Sequence, residues 1–402
     1  MKIFDTTPVA DWLVNGARSA SLPQEVLAQL CDRLVACGIP LSRVAVFVRT
    51  LHPDVTGRRF LWRTGASVEV GELVFEWLDT AEFLESPVAH VYATSAPMRR
   101  RLADPDQAAD FAVLRDLRAE GATDYLASPL QFTDGTVHVV TWATRTLGGF
   151  NDDQIAGLET VVAPFARIAE TYALRRTAGT LLDTYVGRHT GARILSGQIR
   201  RGHTEAIRAA IWLSDMRGFT ALADRLHPQT LISLLNQYFD CQVLPILERG
   251  GEVLKFIGDG LLAIFPLSPD ADVKTVCNDA LSAADEARRR MAELASATSA
   301  DGVADLRFGL ALHLGEVMYG NIGGGNRLDF TCIGPTVNLA ARLEKLAGKL
   351  GRSVIVSSDF AVHCERPLTE LGQFALSGFA LQQTIYGLTD EVPRNSAQGL
   401  VV

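Results

Sequence analysis

The chain has 402 residues, 48% of them hydrophobic, and a formal net charge of −8. That length accommodates two domains with a core each, and so apolar a composition excludes a disordered chain. The acidic balance gives no ground for binding nucleic acid or an anionic membrane, and the lack of any apolar run of about 18 residues argues against a membrane-spanning helix.

The N-terminus, Met1-Lys2-Ile3-Phe4-Asp5, lacks the positive-then-apolar pattern of a secretory signal, so a soluble, cytoplasmic protein is expected. Cys31, Cys37, Cys241, Cys277, Cys332 and Cys364 are scattered without the paired spacing of a zinc site and read as reduced thiols.

In the first half, Val26, Leu27, Leu30, Leu34 and Val35 recur at helical spacing over residues 24–37, and Arg43–Arg49 reads as a strand. Asp124–Phe132 leads through Thr133-Asp134-Gly135 into Thr136–Trp142, and Asp-Gly between two β-rich runs signals a hairpin. Asn151 is placed to cap one long helix that continues to about Tyr185, with Ile155, Leu158, Val162, Phe165 and Ile168 on one face. Residues 187–203, rich in glycine and basic side chains, read as a linker, and the domain boundary falls near residue 205.

The second half has a definite order of elements. A strand at 209–213 precedes a helix opened by Pro228 that buries Leu231, Leu234, Leu235, Tyr238 and Phe239. A hairpin follows, 253–257 and 261–265, turning at Gly258-Asp259-Gly260. A helix over 270–294 and a strand over 306–313 complete the series β-α-β-β-α-β, which is the ferredoxin-like order of an α+β fold. In that topology the first and second strands run the same way and flank the third, so Asp215, leaving the first, and Asp259, in the turn after the second, reach one sheet edge.

Two carboxylates so placed suit magnesium ions that share a nucleotide's phosphates, although either aspartate alone would serve as a turn former or helix cap. Backbone amides from Met216 to Thr220 add donors for a phosphate. Lys255 lies on the hairpin strand four residues before Asp259. Asn338 and Arg342, four apart on a helix opened by Pro335, point the same way, and a guanidinium there suits charge developing on a phosphoryl oxygen.

Together these motifs resemble the catalytic domain of class III adenylyl cyclases over about residues 206–390. Ser214-Asp215-Met216-Arg217-Gly218-Phe219-Thr220 resembles the family's first metal motif, Leu254-Lys255-Phe256-Ile257-Gly258-Asp259-Gly260 its lysine and second metal motif, and Phe330–Arg342 its base-recognition and transition-state motif. The resemblance implies that Asp215, Asp259 and the Met216 carbonyl hold two Mg²⁺ per site, with Mn²⁺ as a substitute. Gly218, Phe219 and Thr220 contact substrate, Lys255 and Thr331 read adenine, Asn338 orients the ribose and Arg342 stabilises the α-phosphate. Thr331 stands where many members have Asp, and its hydroxyl can still meet the adenine amino group.

Members act as head-to-tail dimers, so a homodimer with two shared sites and ATP as substrate is expected. Lysine and threonine favour ATP over the guanylyl and pyrimidine cyclases, which alter these positions. Polymerase-like and diguanylate-forming enzymes have a similar sheet, but the Thr331–Arg342 segment fits neither. The family's late triphosphate lysine falls at Ser377, which makes a nucleotide-binding module with little turnover the rival reading and Arg327 the candidate replacement cation.

The first half resembles, weakly, a GAF-like sensory domain that takes an unknown small ligand. His52, His90, His138, Trp62 and Trp142 are candidates for a ligand or haem pocket, and ordinary core or surface residues otherwise. The expected organisation is a sensory domain over 1–175, a helical linker over 176–205, a catalytic domain over 206–390 and a tail over 391–402.

Overall fold

The computed structural model describes residues 5–104, 111–268, 270–298, 306–325 and 327–391. Apart from Glu391, the expected C-terminal tail lies outside them. The chain divides into two compact units, Met1–Leu181 and Leu182–Val402.

The first unit is built on a six-stranded antiparallel sheet. Its strands are β1 (Arg43–Arg49), β2 (Val55–Arg63), β3 (Glu69–Val74), β4 (Met98–Arg100), β5 (Asp124–Gln131) and β6 (Val137–Thr144), in the order β3-β2-β1-β6-β5-β4. The Asp-Gly turn joins β5 and β6 as expected, in a register running from Asp124 opposite Thr144 to Gln131 opposite Val137.

Both faces of this sheet are covered, which is why β1 is apolar almost throughout. Val44, Val46 and Val48 pack with α1 (Thr7–Val14), α2 (Pro23–Ala36) and Leu158 and Phe165 of the long helix. Ala45 and Phe47, alternating with them, face α3 (Ala81–Leu84), α4 (Pro87–Thr94) and α5 (Ala112–Ala119). Such an α/β unit is compatible with a GAF-like domain.

The long helix, α6, spans Asp152–Val186, and the Gln154 N–H donates to Asn151 Oδ1 at 2.8 Å, the cap that its sequence predicts. Of the candidate pocket residues, Trp62, Trp142 and His138 are buried in the sheet. His138 accepts the Arg49 N–H at 3.0 Å, and burial pushes its pKa down to about 4. Among the described residues no three His, Cys, Asp or Glu side chains are grouped to hold a metal.

One polar contact ties the first unit's sheet to the start of α6. Asp124, fully buried, accepts from Arg99 at 2.6 Å and from the backbone N–H of Tyr125 and Phe150, both at 3.0 Å. The approach is so close that a side chain on Gly149 would strike Asp124 Oδ2.

The second unit opens with α7 (Arg188–Leu195), a helix inside the stretch expected to be a glycine-rich linker. Its sheet follows the ferredoxin-like plan. β7 (Thr204–Met216), β8 (Glu252–Ile257), β9 (Gly260–Leu267) and β10 (Phe308–Gly324) lie in the order β10-β7-β9-β8. β9 is antiparallel to both β7 and β8, so the first and second strands are parallel and flank the third, as the topology requires.

Two of these strands are longer than expected. β7 pairs with β10 without interruption from Thr204 opposite Gly320 to Met216 opposite Phe308. β10 then turns back as β11 (Arg327–Ile333), so that Gly320–Gly324, beyond the expected end of the strand, belong to it. Beyond β10 the sheet extends through β12 (Val354–Ser357), β14 (Gln383–Leu388) and β13 (Leu368–Phe374).

Side chains alternate along β7. Ala210, Trp212 and Met216 face a core with α9 (Pro228–Glu248) and α10 (Val273–Thr298). Ala209, Ile211 and Leu213 face the side covered by β11 and α11 (Pro335–Lys349). Two short helices complete the unit, α8 (Phe219–Ala223) and α12 (Ser358–Ala361).

Replacing Asp124 with Ala leaves the Arg99 guanidinium and the two backbone donors uncompensated. It is expected to destabilise the first unit by about 3 kcal/mol, read as a fall of about 6–12 °C in its thermal midpoint by differential scanning calorimetry.

Candidate active site

Asp215 sits one residue before the end of β7, on the face toward α11, and Asp259 sits in the β8–β9 turn beside it. The turn is tight because Gly258 adopts φ +64°, and Gly260 lets the hairpin approach to within 3.2 Å of Asp215 Oδ1, measured from where its Cβ would stand. Burial first, then the Asp259 charge and then that of Glu344, push the Asp215 carboxyl up to about 6.

A pair of like charges held this way is unfavourable by itself and becomes favourable around a cation. Two carboxylates, with the Met216 carbonyl next in the chain after Asp215, are hard oxygen donors of the kind that Mg²⁺ accepts, with water and phosphate to complete the shell. The residues present therefore fit the implied metal.

Arg217 and Glu344 are functional neighbours that sequence reasoning missed. The Arg217 guanidinium lies 2.8 Å from Glu344 Oε1, and its Nη2 donates to the Glu344 carbonyl at 3.1 Å. It passes directly over Gly309, the residue opposite Asp215 in the β7–β10 register, where any side chain would collide with it. The available signal was a buried-face Glu two residues beyond Arg342, in a chain that has an Arg two residues beyond Asp215.

That contact fixes how α11 is turned. Leu339, Ala340, Leu343, Glu344 and Ala347 form its buried stripe, whereas Asn338 and Arg342 are exposed. At about 100° per residue, Arg342 stands about 200° around the helix from Glu344. Asn338 and Arg342 thus share one face, as predicted, and that face is turned away from the two aspartates of the same chain.

Lys255 lies on β8 with Phe256 on the opposite side, its ring tilted against that of Phe239 of α9 with centroids 4.4 Å apart. Its ammonium meets Asp329 of β11 at 2.5 Å. Asp329 was not foreseen, although it is two residues from Thr331 on one strand and so shares that residue's face. Thr331 is 5% exposed, opposite Gly320. The structure thus brings Lys255 and the Thr331 strand together, apart from the aspartate pair.

The remaining predicted residues are scattered. Gly218 begins α8, a helix of five residues, Phe219 packs against the α9–α10 core and Thr220 is exposed. Arg327 is exposed at the open end of the β10–β11 hairpin, opposite Gly324. Ser377 is exposed in the segment after β13.

The linker helix is anchored to this unit by a buried carboxylate. Thr190 donates to Glu252 Oε1 at 3.0 Å and Tyr319 donates to Oε2 at 2.7 Å, with Glu252 only 5% exposed at the start of β8. Arg193 pairs with Glu205 at 2.5 Å while lying over the rings of Tyr319 and Phe330. The strand that presents Lys255 is therefore held at its other end by α7.

The βαββαβ sheet carries two carboxylates at one edge and, elsewhere on the unit, the lysine strand and the Asn/Arg helix that the sequence motifs single out. Residues 203–388 match the model of the adenylate and guanylate cyclase catalytic domain family. Adenylate cyclase 1 of Rhizobium meliloti is 26% identical over 313 residues, covering 74% of this chain and 45% of that protein. The adenylate cyclase of Anabaena cylindrica is 29% identical over 159 residues, covering 40% of this chain and 31% of that protein. The chain thus spans less than half the length of these curated relatives. Among solved structures, the adenylyl cyclase CyaB from P. aeruginosa is 28% identical over 47% of this chain and 97% of its own, with a TM-score of 0.44.

Removing the repulsion in the aspartate pair has a measurable consequence. A folded-state pKa above the ordinary carboxylate value costs stability at pH values above it. Asp259→Asn is therefore expected to raise the metal-free midpoint of the second unit at pH 8 by about 2–4 °C, after discounting the shift for the partial exposure of Asp215. Mn²⁺ should stabilise the wild-type protein and not the variant; an unchanged metal-free midpoint would show that the carboxylates do not oppose each other.

Proposed function

We propose that the chain is an adenylyl cyclase that converts ATP to 3′,5′-cyclic AMP and pyrophosphate in sites shared by two copies, under control of its first unit. The observation that carries the proposal is the orientation of α11. Asn338 and Arg342 face away from Asp215 and Asp259 of their own chain, so one chain offers two half-sites and a second copy is needed to close either.

In this reading Asp215, Asp259 and the Met216 carbonyl hold Mg²⁺ or Mn²⁺. When bound, the metal supplies positive charge that makes a ribose hydroxyl more acidic and neutralises the triphosphate. Asn338 holds the ribose so that its 3′ oxygen faces the α-phosphorus, and Arg342 donates to the α-phosphate oxygens as charge accumulates there. The O3′–Pα bond forms, the bond from Pα to the bridging oxygen breaks, pyrophosphate leaves and the hydroxyl proton passes to solvent.

Lys255 and the Thr331 hydroxyl provide the groups that read adenine. Asp329 holds Lys255 in place until the base arrives and stays near enough to orient it afterwards. Arg327 is the candidate cation for the triphosphate in place of the lysine that Ser377 lacks. An exposed arginine on a hairpin end has the reach for that role.

Purified protein given ATP and Mn²⁺ is expected to release cyclic AMP, in preference to products of GTP, CTP or UTP. Asp215→Ala and Asp259→Ala should each lower turnover by roughly three orders of magnitude, and Arg342→Ala by about a hundredfold or more with ATP binding retained. Undiminished activity in an aspartate variant would overturn the proposal. Tight ATP binding without product at saturating Mn²⁺ would instead favour a nucleotide-binding module, the outcome that Ser377 makes the rival.

A further inference from the structure

The first unit contains a cavity of about 410 Å³ that the cyclase reading does not use. Its size falls within the range of small-molecule sites, roughly 300–1,000 Å³. It lies between the sheet, the start of α2 and the middle of α6. Val46, Val48 and Phe60 form its floor, Val26 and Leu27 one wall, and Phe165, Ile168 and Ala169 the other.

The rim is different in chemistry. Arg58, Arg175 and Arg176 line it, and among the described residues no acidic side chain does. Arg58 is paired with Glu72 on β3 at 2.5 Å. The hydrogen bond from Arg58 holds the Glu72 carboxyl below its ordinary range, and Arg176 adds to that effect from nearby. Arg175 and Arg176 are exposed, and neither has a carboxylate partner in an ion pair among the described residues. Arg58 thus pairs with the Glu72 carboxylate, Arg176 acts on it by charge, and Arg175 lines the same apolar hollow.

An apolar cavity gains nothing from water, whereas a hydrocarbon body removes its surface from solvent. Guanidinium groups accept a carboxylate in paired N–H···O bonds that a neutral hydroxyl cannot match. We propose that this cavity binds an apolar organic acid, its hydrocarbon body between the sheet and α6 and its carboxylate among Arg58, Arg175 and Arg176. The wall it would press on, α6, is the helix whose chain continues to Val186.

The test is calorimetric titration of the full chain with sodium decanoate, decanol and decyltrimethylammonium bromide, each below its micellar concentration. One decanoate per chain is expected to bind, at least about tenfold more tightly than either of the others. The Arg175→Ala, Arg176→Ala double variant, altered only at exposed positions, should lose that preference while melting like the wild type. Ala169→Trp should remove decanoate binding by filling the cavity.

Equal affinity for decanol, no saturable binding, or an unchanged decanoate affinity in the double variant would overturn the proposal. So would undiminished binding by a folded Ala169→Trp protein. Loss of binding as chain concentration rises, with self-association seen by sedimentation, would make a second copy the occupant and contradict it as well. Cyclase activity enters none of these measurements, so the outcome stands apart from the catalytic proposal.

Discussion

The contact between Arg217 and Glu344 sets the geometry on which the catalytic reading depends. A guanidinium leaving the end of β7 is held against a buried carboxylate on α11, across the small space left by Gly309. Breaking a largely buried pair by removing one partner leaves the other charge uncompensated, so the two residues hold each other in place. With Glu344 turned inward, Asn338 and Arg342 can only face outward. The same contact places a third negative charge near Asp215 and balances it with Arg217, which leaves the aspartate pair as the local excess of negative charge.

The β7–β10 ladder supports that arrangement. Thirteen consecutive pairs, Phe308 opposite Met216 through Gly320 opposite Thr204, make the centre of the sheet a long ribbon rather than two short strands. At one end stand Asp215, Arg217 and Gly309. At the other the ribbon meets β11, Tyr319 and the linker, where Glu252 accepts hydrogen bonds from both Thr190 and Tyr319. The α7 contact thus falls at the start of β8, the strand that leads to Ile257 and the Asp259 turn.

Much of this was legible in the sequence because the elements carry long, regular patterns. Alternating or helical apolar runs defined β1, the β5–β6 hairpin, α6 and the βαββαβ series, and the topology alone predicted that Asp215 and Asp259 would meet. The extension of β10 and the return strand β11 were not anticipated, and four glycines there, Gly320, Gly323, Gly324 and Gly325, are of the type that favours turns. In the fold Gly320 and Gly323 are needed because partner backbone lies where their side chains would be. Within the expected helical linker, Gly191 marks a close approach of α7 to Leu182 and Asp183. Arg217, Glu344, Asp329 and Glu252 were missed, because a charged residue's partner lies far along the chain and only weak local spacing points to it.

The central claim is that each chain holds two halves of different sites. Mixing Asp215→Ala protein with Arg342→Ala protein, each nearly inactive alone, tests it directly by the cyclic AMP formed. A mixed dimer pairs the intact aspartates of one chain with the intact Asn338 and Arg342 of the other, so activity approaching a quarter of the wild-type value per chain is expected from random pairing. Failure of the mixture to exceed the sum of its components, with subunit exchange shown to occur, would mean that the aspartates and Arg342 serve one site within a single chain.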